Sequence, residues 1–284
     1  MTGIIPRPED GVAWITGASS GIGRELALIL ARDGWTVCAT ARRKSDLDSL
    51  VADATPAKGQ VLAFEGDVTD AGRMAAVVSA IETGHGPIVL AVLNAGIYLP
   101  VSDVPFDREA YIRSFDVNLG GTVNCLAPLL PEMVKRGNGQ LWLMASVAGY
   151  SGLPTSAAYG ATKAGLMNMA ESLKFDLDKR GVHIGIINPG FVKTPATDKN
   201  AFPMPFLMPV EEAAQRIADG LKKGGFEITF PRRFSYMLKF LRVLPHFLYF
   251  PVVAGMTGWN KRPVTSSGKN EPPIFQGVRH QDKA

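Results

Sequence analysis

Seven apolar runs of strand length, each followed by a longer segment of different character, constrain this chain more than any other feature. They are VAWIT (residues 12–16), WTVCAT, QVLAFE, IVLAVLN, GQLWLMAS, VHIGIIN and, near Phe226, FEITF. A strand apolar along its whole length must be covered on both faces, which a parallel sheet with crossover helices achieves. Between the runs, residues 21–33, 70–83, 107–136, 158–180 and 210–223 have helical spacing and length. The pattern predicts an α/β fold: one doubly wound Rossmann-type domain with a seven-stranded parallel sheet and a C-terminal helical extension. At 284 residues, with no internal repeat, the chain fits one such domain. We divide it into a dinucleotide-binding and catalytic body at 1–231, a basic amphipathic segment at 232–260 and a polar tail at 261–284. The connection at 190–209 is long and apolar, with Phe202, Met204, Phe206, Leu207 and Met208, and reads as a substrate lid.

The remaining composition excludes other classes. Cys38 and Cys125 lie far apart in apolar stretches, so neither a disulfide framework nor a cysteine metal site is available, and a reducing, cytoplasmic setting is expected. The N-terminus lacks a basic stretch followed by an apolar one, and no apolar run approaches the roughly 20 residues of a spanning helix. The net charge of +4 is unevenly placed. Residues 1–227 carry 21 Lys+Arg against 24 Asp+Glu, whereas 228–270 carry seven against none. A nucleic-acid-binding body would spread its cations over the folded domain, so no nucleic-acid partner is expected. His183 and His246 have no second ligand at metal-binding spacing, and no metal is assigned.

Thr16–Gly23 reads TGASSGIG, between an apolar strand and a helix-forming run. In that context Gly17 permits an unusual φ, Gly21 lets backbone approach a pyrophosphate, and Gly23 allows close helix packing. Ser19, Ser20 and Ile22 complete the loop, and the helix start offers unpaired N–H groups to an anion. A tight turn alone could use the same glycines. The second strand ends Thr40-Ala41-Arg42-Arg43, with no carboxylate to take a ribose 2′-hydroxyl. Arg42 can fork around a 2′-phosphate and Arg43 can add a second cation or stack on adenine, so NADP(H) is preferred, with NAD(H) as the alternative. A solvated Arg-Arg-Lys run is the competing reading.

Ser146 ends the fifth strand, and Tyr159 and Lys163 follow four residues apart, on one face of a helix. An ammonium beside a phenol, together with a cationic nicotinamide, favours the phenolate. Making that phenol a base at neutral pH takes about 4 kcal/mol of differential stabilisation, which needs a partly desolvated site. Taken alone, the Tyr–Lys pair would be an ordinary surface pair.

Together these motifs resemble the short-chain dehydrogenase/reductase family over most of residues 11–230. The resemblance rests on TGASSGIG, Asp67 in GDVTD, Asn94-Ala95-Gly96, Asn118 in DVNLGG, Ser146, Tyr159-x-x-x-Lys163, and Asn188-Pro189-Gly190 with Thr194, all in the family's order. It implies that Tyr159 is the acid/base, that Lys163 lowers its pKa and holds the nicotinamide ribose, and that Ser146 orients the substrate. It also implies that Asn118 interrupts its helix and positions a proton-relay water. Asp67 and Val68 would meet adenine, and Asn94, Ala95 and Gly96 would line the cofactor loop. Pro189, Gly190 and Val192 would border the cofactor, and Thr194 would contact its carboxamide or pyrophosphate. The glycine spacing resembles the dehydrogenase branch, so net hydride transfer between a carbonyl and a secondary alcohol is expected. Tyr98, Tyr150 and Phe191 are expected to shape the substrate pocket. The family's long fourth and fifth helices commonly form a dimer face, which implies a homodimer or higher homo-oligomer.

In residues 232–249, Phe234, Met237, Leu238, Leu241, Leu244 and Leu248 recur at spacings of three or four, while Ser235, Lys239, Arg242 and His246 fall opposite. This predicts an amphipathic helix, bent or stopped near Pro245, and Phe240, Val243 and Phe247 widen its apolar side. Residues 232–250 could rest on a membrane surface, or they could pack on the body, over the cleft or against a second subunit. An apolar carbonyl or alcohol substrate follows from the lid and this segment. Two rivals stay open: an NAD-dependent alcohol dehydrogenase and a non-catalytic NADP-binding sensor.

Overall fold

The computed structural model describes residues 5–101, 106–195, 197 and 204–261. Seven strands form one parallel sheet: β1 (Val12–Thr16), β2 (Thr36–Ala41), β3 (Gln60–Glu65), β4 (Ile88–Leu93), β5 (Gly139–Met144), β6 (Val182–Pro189) and β7 (Glu227–Phe230). Their order is β3-β2-β1-β4-β5-β6-β7, so the winding reverses between β1 and β4. This is the doubly wound Rossmann-type sheet that the apolar runs predict. Side chains alternate across it: Val12 and Trp14 join the core on one face, Ala13 and Ile15 the core on the other. Helices α1 (Gly21–Arg32) and α7 (Val210–Leu221) pack over the second face, and α3 (Ala71–His85), α5 (Gly121–Arg136) and α6 (Ala157–Leu177) over the first.

Two helical features depart from the sequence expectation. Helix α2 (Lys44–Asp53) was not foreseen, because KSDLDSLVAD offers only Leu47 and Leu50 as buried anchors, too few for a visible apolar stripe. The segment expected as one helix over 107–136 is two. Helix α4 (Arg108–Phe115) passes through a π turn at Asp116–Gly120 into α5, and Pro128 and Pro131 remain inside α5. The π turn is the interruption that the family resemblance implies at Asn118.

The C-terminal segment forms α8 (Arg232–Arg242) and α9 (His246–Met256), separated at Pro245. Phe234, Leu238 and Leu241 are buried, as their spacing predicts. Ser235, placed on the polar face by the sequence, is instead fully buried. Its hydroxyl accepts from Thr229 Oγ1 at 2.6 Å and donates to the Pro231 carbonyl at 3.2 Å, which makes burial of a small polar group tolerable. Leu248, assigned to the apolar stripe, is exposed, because the break at Pro245 resets the helical phase.

The two ends of the 190–209 connection are tied together. Val192 bridges Met208, Lys193 N–H donates to the Met208 carbonyl at 2.8 Å, and Met208 N–H donates to the Phe191 carbonyl at 3.0 Å. Phe202 and the tail from 262 to 284 lie outside the described residues.

Candidate active site

At the point where the winding reverses, the carboxyl ends of β1 and β4 leave a cleft of about 300 Å³. Gly17, Ser19, Ser20, Gly21 and Ile22 form one wall; Asn94, Ala95, Gly96 and Ile97 form another; Arg42, Arg43, Asp67, Val68 and Thr194 close it. Gly17 has φ +65, and a Cβ there would lie 2.8 Å from Ala95 Cα. Gly21, at φ +56, would point a Cβ toward Thr194, which is 3.3 Å away across the cleft. At Gly23 a Cβ would meet both Asn94 Nδ2 and the Gly17 carbonyl oxygen at 2.5 Å, so its bareness serves packing. The Ser20 side chain does not cap α1, and the first turn of α1 contains no acidic residue. Helix α1 therefore presents free N–H groups and the positive end of its dipole to the cleft.

The loop after β4 is held against the glycine turn by one side chain. Asn94 Nδ2 donates to the carbonyl oxygens of Thr16 at 3.0 Å and Gly17 at 3.1 Å, and Ala95 N–H donates to Thr16 Oγ1 at 3.1 Å. Asp67 accepts from the N–H and hydroxyl of Thr69, at 3.0 and 2.9 Å, so it caps its own turn while still facing the cleft. The two arginines differ. Arg43 forms an ion pair with Asp46, whereas Arg42 has no ion-pair partner among the described residues. Arg113 from α4, which nothing in the sequence pattern singled out, lines the cleft beside Arg42.

A second, larger cavity of about 650 Å³ adjoins the first. Ser146 and Tyr159 lie in its wall with Tyr98, Pro189, Gly190, Phe191, Val192 and Thr194. The Ser146 hydroxyl donates to the Pro189 carbonyl at 3.5 Å and accepts from Ala148 N–H at 3.2 Å, on the cavity side that Tyr159 shares. Lys163 Nζ is 5.4 Å from the centre of the Tyr159 ring and donates to the Met144 carbonyl at 2.7 Å. Fully buried Asn118 accepts from Ile97 N–H at 2.8 Å and donates to the Ile97 carbonyl and to Thr162 Oγ1, both at 3.0 Å. It thereby locks the cofactor-side loop to the helix that carries Tyr159 and Lys163. A Cβ on Gly96 would crowd Asn118 Oδ1 at 3.2 Å and Lys163 Nζ at 3.4 Å, so the absent side chain leaves these groups access to the cleft.

Burial dominates the electrostatics of the Tyr159–Lys163 pair. It pushes the Tyr159 phenol up to about 12, a shift that the Ser146 hydroxyl only partly opposes and nearby Tyr98 reinforces. Burial also brings the Lys163 ammonium down to about 8. In the protein by itself the phenol therefore stays protonated at neutral pH.

Tyr150 departs from the sequence expectation. It does not line the cavity; its hydroxyl donates to Glu227 Oε1 and lies 3.1 Å from Thr229 Oγ1. Glu227 also accepts from Asn188 Nδ2 at 2.6 Å and from Lys239, and its carboxyl is held below the usual range by these partners against an opposing burial effect. This network ties α8 to the edge strand beside Pro189, and it was hidden from the sequence because Tyr150, Asn188, Glu227 and Lys239 are 12 to 89 positions apart in the chain. Met237, Leu238 and Leu241 of α8 also line the cavity, which is the packing over the cleft that the sequence left open for this segment, whereas the contributions of Leu153, Pro154, Thr155, Val253 and Met256 have no signal in the sequence pattern.

Comparison with known proteins follows the same lines. Residues 11–202 match the family model described as short chain dehydrogenase. An uncharacterized oxidoreductase of Myxococcus xanthus is 40% identical over 239 residues, covering 84% of this chain and 94% of that protein. The 3-oxoacyl-acyl-carrier-protein reductase FabG of Thermotoga maritima is 36% identical over 193 residues, covering 68% and 78%. Among solved structures, an actinorhodin polyketide ketoreductase variant with NADPH and a levodione reductase each superpose with a TM-score of 0.72 at 24% identity. They cover 79% and 80% of this chain and 97% and 98% of their own.

The 3-10 turn at Val147–Gly149, which follows Ser146, rests on the backbone of α6, where a Cβ on Gly149 would come within 2.7 Å of the Lys163 carbonyl carbon and 2.8 Å of Ala164 N. Gly149→Ala should therefore separate Ser146 from Tyr159 at a cost of about 1–3 kcal/mol in stability. Thermal denaturation should show the loss, and turnover should fall while dinucleotide binding, measured by fluorescence, persists.

Proposed function

The chain belongs to the short-chain dehydrogenase family and is an oxidoreductase; on that premise we propose that it is an NADP(H)-dependent reductase that interconverts an apolar carbonyl compound and its secondary alcohol. The observation that carries this reading is the convergence of Ser146, Tyr159 and Lys163 at the junction of a phosphate-binding cleft and an apolar cavity. The coenzyme fits the cleft: Gly17 and Gly21 adopt a turn closed to most side chains, the start of α1 is uncapped, and Arg42, with no ion-pair partner among the described residues, lines the cleft and could take a 2′-phosphate. When bound, it supplies or accepts the hydride.

The chain's own residues manage the proton and the orientation. Tyr159, protonated at neutral pH, donates its proton to the substrate oxygen as carbonyl becomes alcohol, which suits the reductive direction. Ser146 holds the same oxygen by its hydroxyl. Lys163 places positive charge beside the phenol to offset the phenolate that proton donation leaves, and it reaches toward the coenzyme ribose past Gly96. Asn118 keeps that arrangement rigid by its bonds to Ile97 and Thr162, and the relay water that the family resemblance implies would lie next to it. Asp67, Val68, Asn94, Ala95, Gly96, Pro189, Gly190, Val192 and Thr194 border the coenzyme, with Arg43 a more distant cation held by Asp46. Tyr98 and Phe191 shape the substrate end; the Tyr98 hydroxyl is buried with no hydrogen-bond partner among the described residues, so a polar atom of the substrate would satisfy it. We assign the chain to the cytoplasm as a homodimer or higher oligomer, with Val123 of α5 and Phe175 of α6, both exposed, in the self-association face.

Tyr159→Phe should lower kcat by about 10²–10⁴-fold while NADPH still binds; turnover at the wild-type rate would remove Tyr159 as the acid. Arg42→Ala should weaken NADPH by about 10–100-fold, the value of one charge-assisted hydrogen bond, and leave NADH nearly unchanged. Parallel losses in titrations of the two coenzymes would instead favour the NAD-dependent reading. Reduction requires the phenol protonated and the ammonium charged. With Lys163 near 8 and Tyr159 near 12, kcat/KM for reduction should be level below the Lys163 value and fall above it. A plateau continuing far into the alkaline range would contradict the role of Lys163.

A further inference from the structure

Helices α8 and α9 are apolar on two sides. Phe234, Leu238 and Leu241 of α8 and Val253 of α9 are buried and wall the larger cavity. On the outer side of α8, Tyr236, Phe240 and Val243 follow one another at spacings of four and three, and Phe247 and Phe250 of α9 lie three apart. Phe240, Val243, Phe247 and Phe250 are 63%, 73%, 75% and 64% exposed. One face of each helix is thus used up by the protein's own core, and the other is left for something else. Exposed apolar surface this concentrated marks an interaction site.

Charge decides what covers it. Residues 228–270 contain seven Lys+Arg and no acidic residue. Arg232, Arg233, Arg242 and Lys261 are exposed, and of the cations in this segment only Lys239 forms an ion pair among the described residues. A second copy of the chain, docked about a two-fold axis, would set these cations against themselves with no carboxylate in the segment to answer them. An anionic surface answers them, and aromatic and aliphatic side chains mixed with Arg and Lys suit the headgroup–acyl boundary of a bilayer. Lys239 is spent on Glu227, which anchors α8 to the sheet and leaves the outer side chains on a fixed platform.

The same helices bring the cavity to that surface. Met256 and Phe206 line the cavity and are both more than half exposed, so the cavity's apolar wall runs out into the exposed face. Among the described residues no helix is long and apolar enough to cross a membrane, so the contact is with one leaflet. The family model ends at residue 202, and this surface lies wholly beyond it.

We propose that α8 and α9 dock the enzyme on an anionic phospholipid bilayer, with Phe240, Val243, Phe247 and Phe250 entering the headgroup–acyl boundary, and that the substrate cavity opens at this face. An apolar carbonyl compound dissolved in the leaflet then reaches Tyr159 without crossing water. The delivery step rests on the reductase reading; the docking does not.

Flotation of the full chain with phosphatidylcholine vesicles, with and without one quarter phosphatidylglycerol, tests the docking. About tenfold greater recovery on the anionic vesicles, reduced by raised salt, is expected. The double variant Phe240→Ser, Phe247→Ser should lose most of that recovery while binding NADPH as before, since both positions lie outside the core and the coenzyme cleft. Equal recovery on both vesicle types, or none, overturns the proposal. So does sedimentation showing a dimer that the double variant splits, because the second copy would then be the occupant. Turnover of a short water-soluble ketone by the double variant separates the two ideas: normal turnover with wild-type flotation would remove the docking role alone. Flotation of the intact chain with no turnover of any carbonyl would remove the reductase reading alone.

Discussion

A parallel sheet must be covered on both faces, and where its winding reverses the crossover helices depart in opposite directions and leave the carboxyl ends of two strands bare. In this chain those strands are β1 and β4, and the function we assign is built on the gap between them. Asn94 holds the two strand ends together by donating to Thr16 and Gly17, which fixes the depth of the cleft before any ligand is considered. The glycine turn, the uncapped start of α1 and the Gly96 loop are then consequences of how closely two backbones and a phosphate can approach.

From that gap outward, each layer is held by buried polar groups that have few alternatives. Asn118 links the Ile97 loop to Thr162 on α6, and Lys163 is buried with the Met144 carbonyl as its hydrogen-bond partner. A buried ammonium is costly unless it is hydrogen-bonded, and part of that cost shows as its lowered pKa. Desolvation acts on Tyr159 in the opposite sense, so the pair is set with a neutral acid beside a cation that loses its proton easily. Such a pair is suited to giving a proton to a carbonyl oxygen at neutral pH.

Beyond the catalytic layer, Glu227 joins the edge strand, the 3-10 turn after Ser146 and α8 by accepting from Asn188, Tyr150 and Lys239. The apolar cavity is therefore bounded by helices whose position depends on the sheet. The cations and aromatic rings on their outer side are presented rigidly, and the bilayer-facing surface we propose shares one wall with the apolar cavity.

Local and repetitive signals were legible in the amino-acid sequence. Strand runs apolar on both faces require a covered parallel sheet, three glycines between a strand and a helix mark a tight turn, and a Tyr and a Lys four apart on a helix must share a face. Those constraints act within a few residues, so order along the chain carries them. The strand order, the ionisation of Tyr159, the turning of Tyr150 away from the cavity toward Glu227, the burial of Ser235, and the exposed position of Phe240 and Phe247 were decided only in three dimensions. Each depends on groups distant in the chain, and desolvation and hydrogen-bond pairing have no value until packing decides which side chains lose their water.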